Sequence, residues 1–194
     1  MQIYYSPSDF INGHLSQLRQ SQGENAQTHV LFSTYNNVSG VSEGPFETHC
    51  DDLTITVDEG NMPLNFGILM ADMLPTEIRQ QAQKEARQVS IDFASNFLEG
   101  QPVHANEAVS SSDQHVTVIY LGLNGLKAGI EFLKKLKQND PNHVVIGVSC
   151  SCNNERQFRQ WADLIDTLII TGQCGGWVTM KTILDGFLTT WEPQ

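Results

Sequence analysis

Short β-branched runs alternate with stretches of helical period along most of this chain. Val116-Thr-Val-Ile-Tyr-Leu121 leads into an amphipathic run through Gln138. Val144-Val-Ile-Gly-Val148 leads into a run through Ile165, and Thr167-Leu-Ile-Ile170 into a run ending at Trp191. A short strand joined to a helical segment, three times over, is the grammar of βα units on a parallel sheet. The chain opens in the same grammar. Gln2-Ile-Tyr-Tyr5 reads as a strand, Ser6-Pro7-Ser8-Asp9 as a helix start with Ser6 as cap, and Phe10, Ile11, His14, Leu15 and Leu18 as one helical face. Thr28 to Ser33 reads as the next strand.

Between these halves the pattern loosens. Thr34 to His49 is polar and irregular, and reads as a long loop. Leu53-Thr-Ile-Thr-Val57 alternates cleanly, as a strand with one solvated face does. Met62 to Leu74 is apolar and methionine-rich. Ile78, Ala82, Ala86, Val89, Phe93 and Phe97 then recur at helical spacing until Gly100 and Pro102 stop them. The reading is a single α/β domain over 1–194: a mostly parallel, doubly wound sheet of the Rossmann-like or flavodoxin-like kind, with a helical insertion at about 62–100. Right-handed crossovers put helices on both faces. In the last helix, Met180, Ile183, Leu184, Phe187, Leu188 and Trp191 form a face suited to packing on the sheet.

Charge narrows the partners. A net charge of -11 repels a phosphate backbone, so nucleic acid is not expected. The densest basic cluster is Lys127, Lys134, Lys135 and Lys137, which alternates with Leu133 and Leu136 and reads as the solvated face of a helix. No apolar run approaches the roughly 18 residues of a membrane span, and the first residues lack the marks of a signal peptide. Four cysteines, Cys50, Cys150, Cys152 and Cys174, do not make a disulfide scaffold, so a reducing cytoplasm and free thiols are expected.

Ligands of parallel sheets usually bind at the carboxyl edge of the strands. The residues expected there are Thr34 and Asn36 after the second strand, and Asn124 in Gly122-Leu-Asn-Gly125. With them come Ser149, Cys150, Ser151, Cys152 and Asn153, and then Gln173, Cys174, Gly175 and Gly176. Two glycines ahead of the last helix suit a tight turn, and they leave backbone N–H groups open to an anion at the helix N-terminus. The expected function is binding of a small, anionic or nucleotide-like molecule, as an enzyme or a sensor. The alternative is a non-catalytic interaction domain that forms a homodimer. No cofactor and no catalytic residue is assigned.

Several motifs are absent or incomplete. The turn Tyr5-Ser6-Pro7-Ser8-Asp9 has no glycine to admit a pyrophosphate, and no Gly-x-x-x-x-Gly-Lys-Ser/Thr occurs. Cys150, Cys152 and Cys174 follow neighbouring strands, and thiolates prefer soft metals. Cys-x-Cys is nevertheless not a standard ligand pair, and nothing completes four ligands, so no metal site is assigned. His49-Cys50-Asp51-Asp52 reads as a solvated loop.

Two family resemblances are partial. Gly172-Gln-Cys-Gly-Gly-Trp177 resembles the papain-family stretch around the catalytic cysteine. The nucleophile next to the tryptophan is replaced by Gly176, and no histidine follows Trp177. The second half is also similar to cobalamin-binding domains, whose pattern runs Asp-x-His-x-x-Gly, Ser-x-Leu, Gly-Gly. Here His104, Ser149 to Ser151 and Gly175-Gly176 stand at comparable spacing, while Pro102, Glu107 and Ser151 replace the acid, the first glycine and the leucine. The resemblance implies cobalamin as a remote alternative ligand.

Overall fold

The computed structural model describes residues 1–21, 26–35, 46–50, 52–57, 113–121, 126–149, 155–171 and 176–191. The inserted helices expected at about 62–100 lie outside these residues.

Among the described residues seven strands form one sheet: β1 (Gln2–Tyr4), β2 (Thr28–Tyr35), β3 (Phe46–Cys50), β4 (Leu53–Val57), β5 (Gln114–Leu121), β6 (Val144–Ser149) and β7 (Thr167–Ile170). Their order is β1-β7-β6-β5-β2-β4-β3. All neighbours pair in parallel except β3, which runs antiparallel to β4. The helices are α1, α2 (Leu126–Asn139), α3 (Glu155–Phe158, with a 3-10 turn Arg159–Trp161) and α4 (Gly176–Trp191). Helix α1 is continuous but changes pitch, from α at Pro7–Phe10 to π at Ile11–Leu15 and back to α at Ser16–Gln20.

Two apolar cores sandwich the sheet. On one face, Phe10, Leu15 and Leu18 of α1 and Met180, Ile183, Leu184, Phe187 and Trp191 of α4 pack on Val30, Phe32, Val116, Val118, Ile146, Val148 and Ile169. On the other, Ile130, Phe132, Leu133 and Leu136 of α2 and Phe158 of α3 pack on Leu31, Ile119, Leu121, Val145, Leu168 and Ile170. Strand residues alternate between the two cores, as side chains in a strand must. Strands this apolar on both faces read as unbroken hydrophobic runs, which is why they stood out in the sequence. The crossover through α1 runs from β1 toward β2. Those through α2 and α3 run the opposite way along the sheet on the opposite face, so all three share one hand. The sheet is doubly wound.

Four details depart from the sequence reading. Both ends of the loop expected from Thr34 to His49 are strand: β2 runs on to Tyr35, and Phe46–Cys50 is β3, while residues 36–45 lie outside the described residues. His49 and Cys50 therefore belong to β3, not to a solvated loop. This edge strand carries no β-branched run, and its pairing with β4 defines it. Ser6 occupies the cap position of α1 with extended dihedrals, but its side chain makes no capping bond; its carbonyl accepts from the Phe10 amide at 3.3 Å. The uniform helical period expected over Phe10–Leu18 is broken by the π turn. A π turn stacks residues about five apart, so Phe10 and Leu15 are both fully buried. The turn lies against α4: a β-carbon on Gly186 would stand 2.8 Å from Ile11, so the two helices touch at that glycine. Lys127, Lys134 and Lys135 are exposed as expected, but Lys137 turns inward, its side chain only 14% exposed.

Candidate functional site at the carboxyl edge

Register brings four strand ends to one level. Tyr35 lies opposite Leu121, Tyr120 opposite Val148, and Ser149 opposite Ile170. Tyr35, Leu121, Ser149 and Ile170 therefore end β2, β5, β6 and β7 along a common edge. Strands are spaced about 4.8 Å apart, so the four exits span roughly 15 Å.

Within this edge the chain diverges between β6 and β7. From Ser149 it passes to α3 on one face, and from Ile170 to α4 on the other. A crevice opens outside a parallel sheet wherever neighbouring connections part to opposite faces. Here the roots of the two connections are tied together. The Thr171 amide donates to the Ser149 carbonyl at 2.8 Å, and the Thr171 hydroxyl donates to the same oxygen at 3.3 Å. Both residues are buried. Sheet pairing is thereby carried one residue past β7, and the two connections leave from a fixed base.

Ser149 shares its level with Leu121 and Ile170, which belong to the α2/α3-side core. Alternation along β6 puts it on that same face, above Gly147 and Val145. Gly147 has to be small: a β-carbon there would meet Ile165 at 3.3 Å and Leu168 at 3.4 Å. On the other face, Thr179 and Met180 are buried and seat the first turns of α4. Helix N-termini carry unsatisfied N–H groups and a partial positive charge. That of α4 begins six residues after Ile170.

Of the expected site residues, Thr34 is the penultimate residue of β2, Ser149 ends β6 and Gly176 opens α4. Asn36, Asn124, Cys150, Ser151, Cys152, Asn153, Gln173, Cys174 and Gly175 lie outside the described residues, as does His104. Cys50 pairs with Leu53 at the start of β4, so it sits at the amino edge. From that level to the carboxyl edge is seven residues of β2, about 23 Å.

The amino edge carries a cluster that reading the sequence missed. His29 and His115 are paired across β2 and β5 and stack with ring centroids 5.1 Å apart and planes at 14°. His143, just before β6, stacks on His115 at 6.2 Å and 17°. The signal was present: Thr28-His-Val, Gln114-His-Val and Asn142-His-Val put the same dipeptide at three strand starts.

His143 also stands between a hydroxyl and a carboxylate, the order of groups in a hydroxyl–imidazole–carboxylate relay. Its Nε2 lies 2.7 Å from the Thr117 hydroxyl, and its Nδ1 lies 3.9 Å from Asp140. Such a relay catalyses when the hydroxyl meets substrate and the imidazole titrates near neutrality. Neither condition holds. Thr117 and His143 are sealed in the core. Burial, then His115, then the Lys137 ammonium pull the His143 pKa down to about 3. The arrangement fixes the ring in place instead. A turn Asp140-Pro141-Asn142-His143 presents it, with the His143 amide donating to the Asp140 carbonyl and the Asn142 amide to the Asp140 carboxylate. Lys137 donates both to the His143 carbonyl and, at 2.8 Å, to Asp166, whose carboxylate also accepts the Val145 amide at 2.7 Å.

Among the described residues no helix is long and apolar enough to cross a membrane. Compared with known proteins, the chain matches no family model and no curated protein.

Proposed function

We propose that this protein binds a small anionic or nucleotide-like molecule at the carboxyl edge of its sheet, between the connections that follow β6 and β7. The supporting observation is the parting of those two connections to opposite faces from a base locked by Thr171 on Ser149. Polar and glycine-rich sequence follows at once on both sides: Cys150-Ser-Cys-Asn-Asn154 and Gly172-Gln-Cys-Gly-Gly176. Small polar side chains and open amides suit phosphate oxygens. Whether the bound molecule is turned over or only sensed is decided by its chemistry. A reducing, cytoplasmic setting fits the thiols near the site, and a denaturing thiol titration is expected to find four free cysteines.

Native mass spectrometry of freshly purified protein is the first experiment. A co-purifying small molecule is expected; a ligand-free, stable dimer would favour the interaction-domain alternative. Thermal shifts with phosphate, a panel of nucleotides, and cobalamin then address the site on wild type, Gly175→Val and Gly176→Val. Stabilisation of wild type that both variants lose is expected. Equal shifts in all three proteins would remove the anion site from the turn before α4.

A further inference from the structure

His29, His115 and His143 stand side by side at one level of three adjacent strands, on the face covered by α2. Register alone brings them together, since they come from segments up to 114 residues apart. Each ring lies flat on its neighbour, which favours neutral imidazoles. A proton on one ring stands about 5–6 Å from the next, where like charges repel strongly beside a low-dielectric core.

The surroundings graduate the three. Asp113 stands 4.0 Å from the Nε2 of His29, and both side chains are 11% exposed. His143 is the most closed, and faces Lys137 of α2 and Asp140 of the preceding turn; Asp166 engages Lys137 from the start of β7. These charged groups face the column.

We propose that this imidazole column is a proton-operated latch on the amino edge of the sheet. Neutral and stacked, the rings hold the starts of β2, β5 and β6 together under α2. On acidification the first proton settles at His29, where Asp113 offsets it. A second, on His115 or His143, has a cation beside it or Lys137 behind it, and it separates the strand starts. A histidine that stays neutral in the folded chain but titrates normally when unfolded withdraws stability as pH falls below about 6.5. For His143 this continues down to about 3. Each pH unit in that window shifts the opening equilibrium up to about tenfold per histidine.

Hydrogen exchange at the strand starts tests this, with rates corrected for the intrinsic pH dependence. In wild type, the amides of Val116 and Val145 are expected to lose protection by about tenfold or more between pH 7 and pH 5. Amides of Val118 and Val148, farther along the same strands, should lose much less. His115→Phe and His29→Phe keep a ring in the column and remove its proton site; both should flatten the pH dependence. Unchanged protection in wild type, or equal losses in wild type and the Phe variants, would overturn the proposal. Should a variant fail to fold, ring C–H resonances of wild type decide. Titration of His115 and His143 well below His29 supports the latch, and three independent titrations near the free value refute it.

Discussion

The two edges of the sheet are built on opposite plans. The amino edge is closed with side chains: three stacked imidazoles, the Thr117–His143 hydrogen bond and the Lys137–Asp166 bridge hold the strand starts and the end of α2 together. The carboxyl edge is fixed by backbone, through register and the Thr171 bonds to the Ser149 carbonyl, and the chain leaves it in polar, glycine-rich sequence. Ionisable groups packed against one another stabilise a structure and take themselves out of chemistry. A rigid backbone frame followed by polar, glycine-rich sequence leaves room for a ligand. The cluster that most resembles catalytic machinery is therefore a fastening, and the plainer edge is the candidate site.

Substitutions can break this contrast. The largest effect is expected at Asp166, whose carboxylate holds both the Lys137 ammonium and the Val145 amide. Asp166→Ala leaves a partly buried cation and an amide without that acceptor, and should cost about 2–3 kcal/mol in urea denaturation. Ligand-induced stabilisation should be unaltered. A loss of binding out of proportion to the loss of stability would show that the edges are not independent.

Acid comes next. His143 is lowered in the folded protein, so the unfolded chain binds the proton more readily, and stability present above about pH 6.5 is withdrawn as pH falls toward 3. At pH 5 this amounts to about 2 kcal/mol. His14 is also lowered, by burial opposed by Asp166, and it acts in the same direction. His143→Gln should show a shallower fall in Tm between pH 7 and pH 5, which thermal melts across that range will measure.

Much of this architecture was legible because its signals are local. The β-branched runs at Val116, Val144 and Thr167 announced buried parallel strands, and the α4 face from Met180 to Trp191 is the one that packs. What escaped depends on partners distant in sequence. Phe46–Cys50 is a strand because β4 lies beside it. The π turn at Ile11–Leu15 lies against Gly186 of α4, and the column needs three separate strands in register. At the site, the strand ends could be read in advance, because each closes a run of strand-forming residues.

Smaller effects sharpen the comparison. Gly147→Ala, beneath Ser149, presses a methyl on Ile165 and Leu168 and should cost about 1 kcal/mol, while shifting the base of the site by a few tenths of an ångström. Its ligand response should weaken more than its Tm falls. Thr171→Val removes one of two donors to the Ser149 carbonyl and keeps the amide bond, so about 0.5–1 kcal/mol is expected. Calorimetry on both variants with the best ligand of the panel resolves these differences.

The cysteines give the most direct test of the site, because Cys150, Cys152 and Cys174 follow the carboxyl ends of β6 and β7, whereas Cys50 sits at the amino edge. Alkylation of each thiol, followed by mass spectrometry with and without a stabilising nucleotide, reports where the ligand lies. Slower modification at Cys150, Cys152 and Cys174, with Cys50 unchanged, is the expected result. Binding that leaves those three rates as they were, or that protects Cys50 instead, would contradict a site at the carboxyl edge.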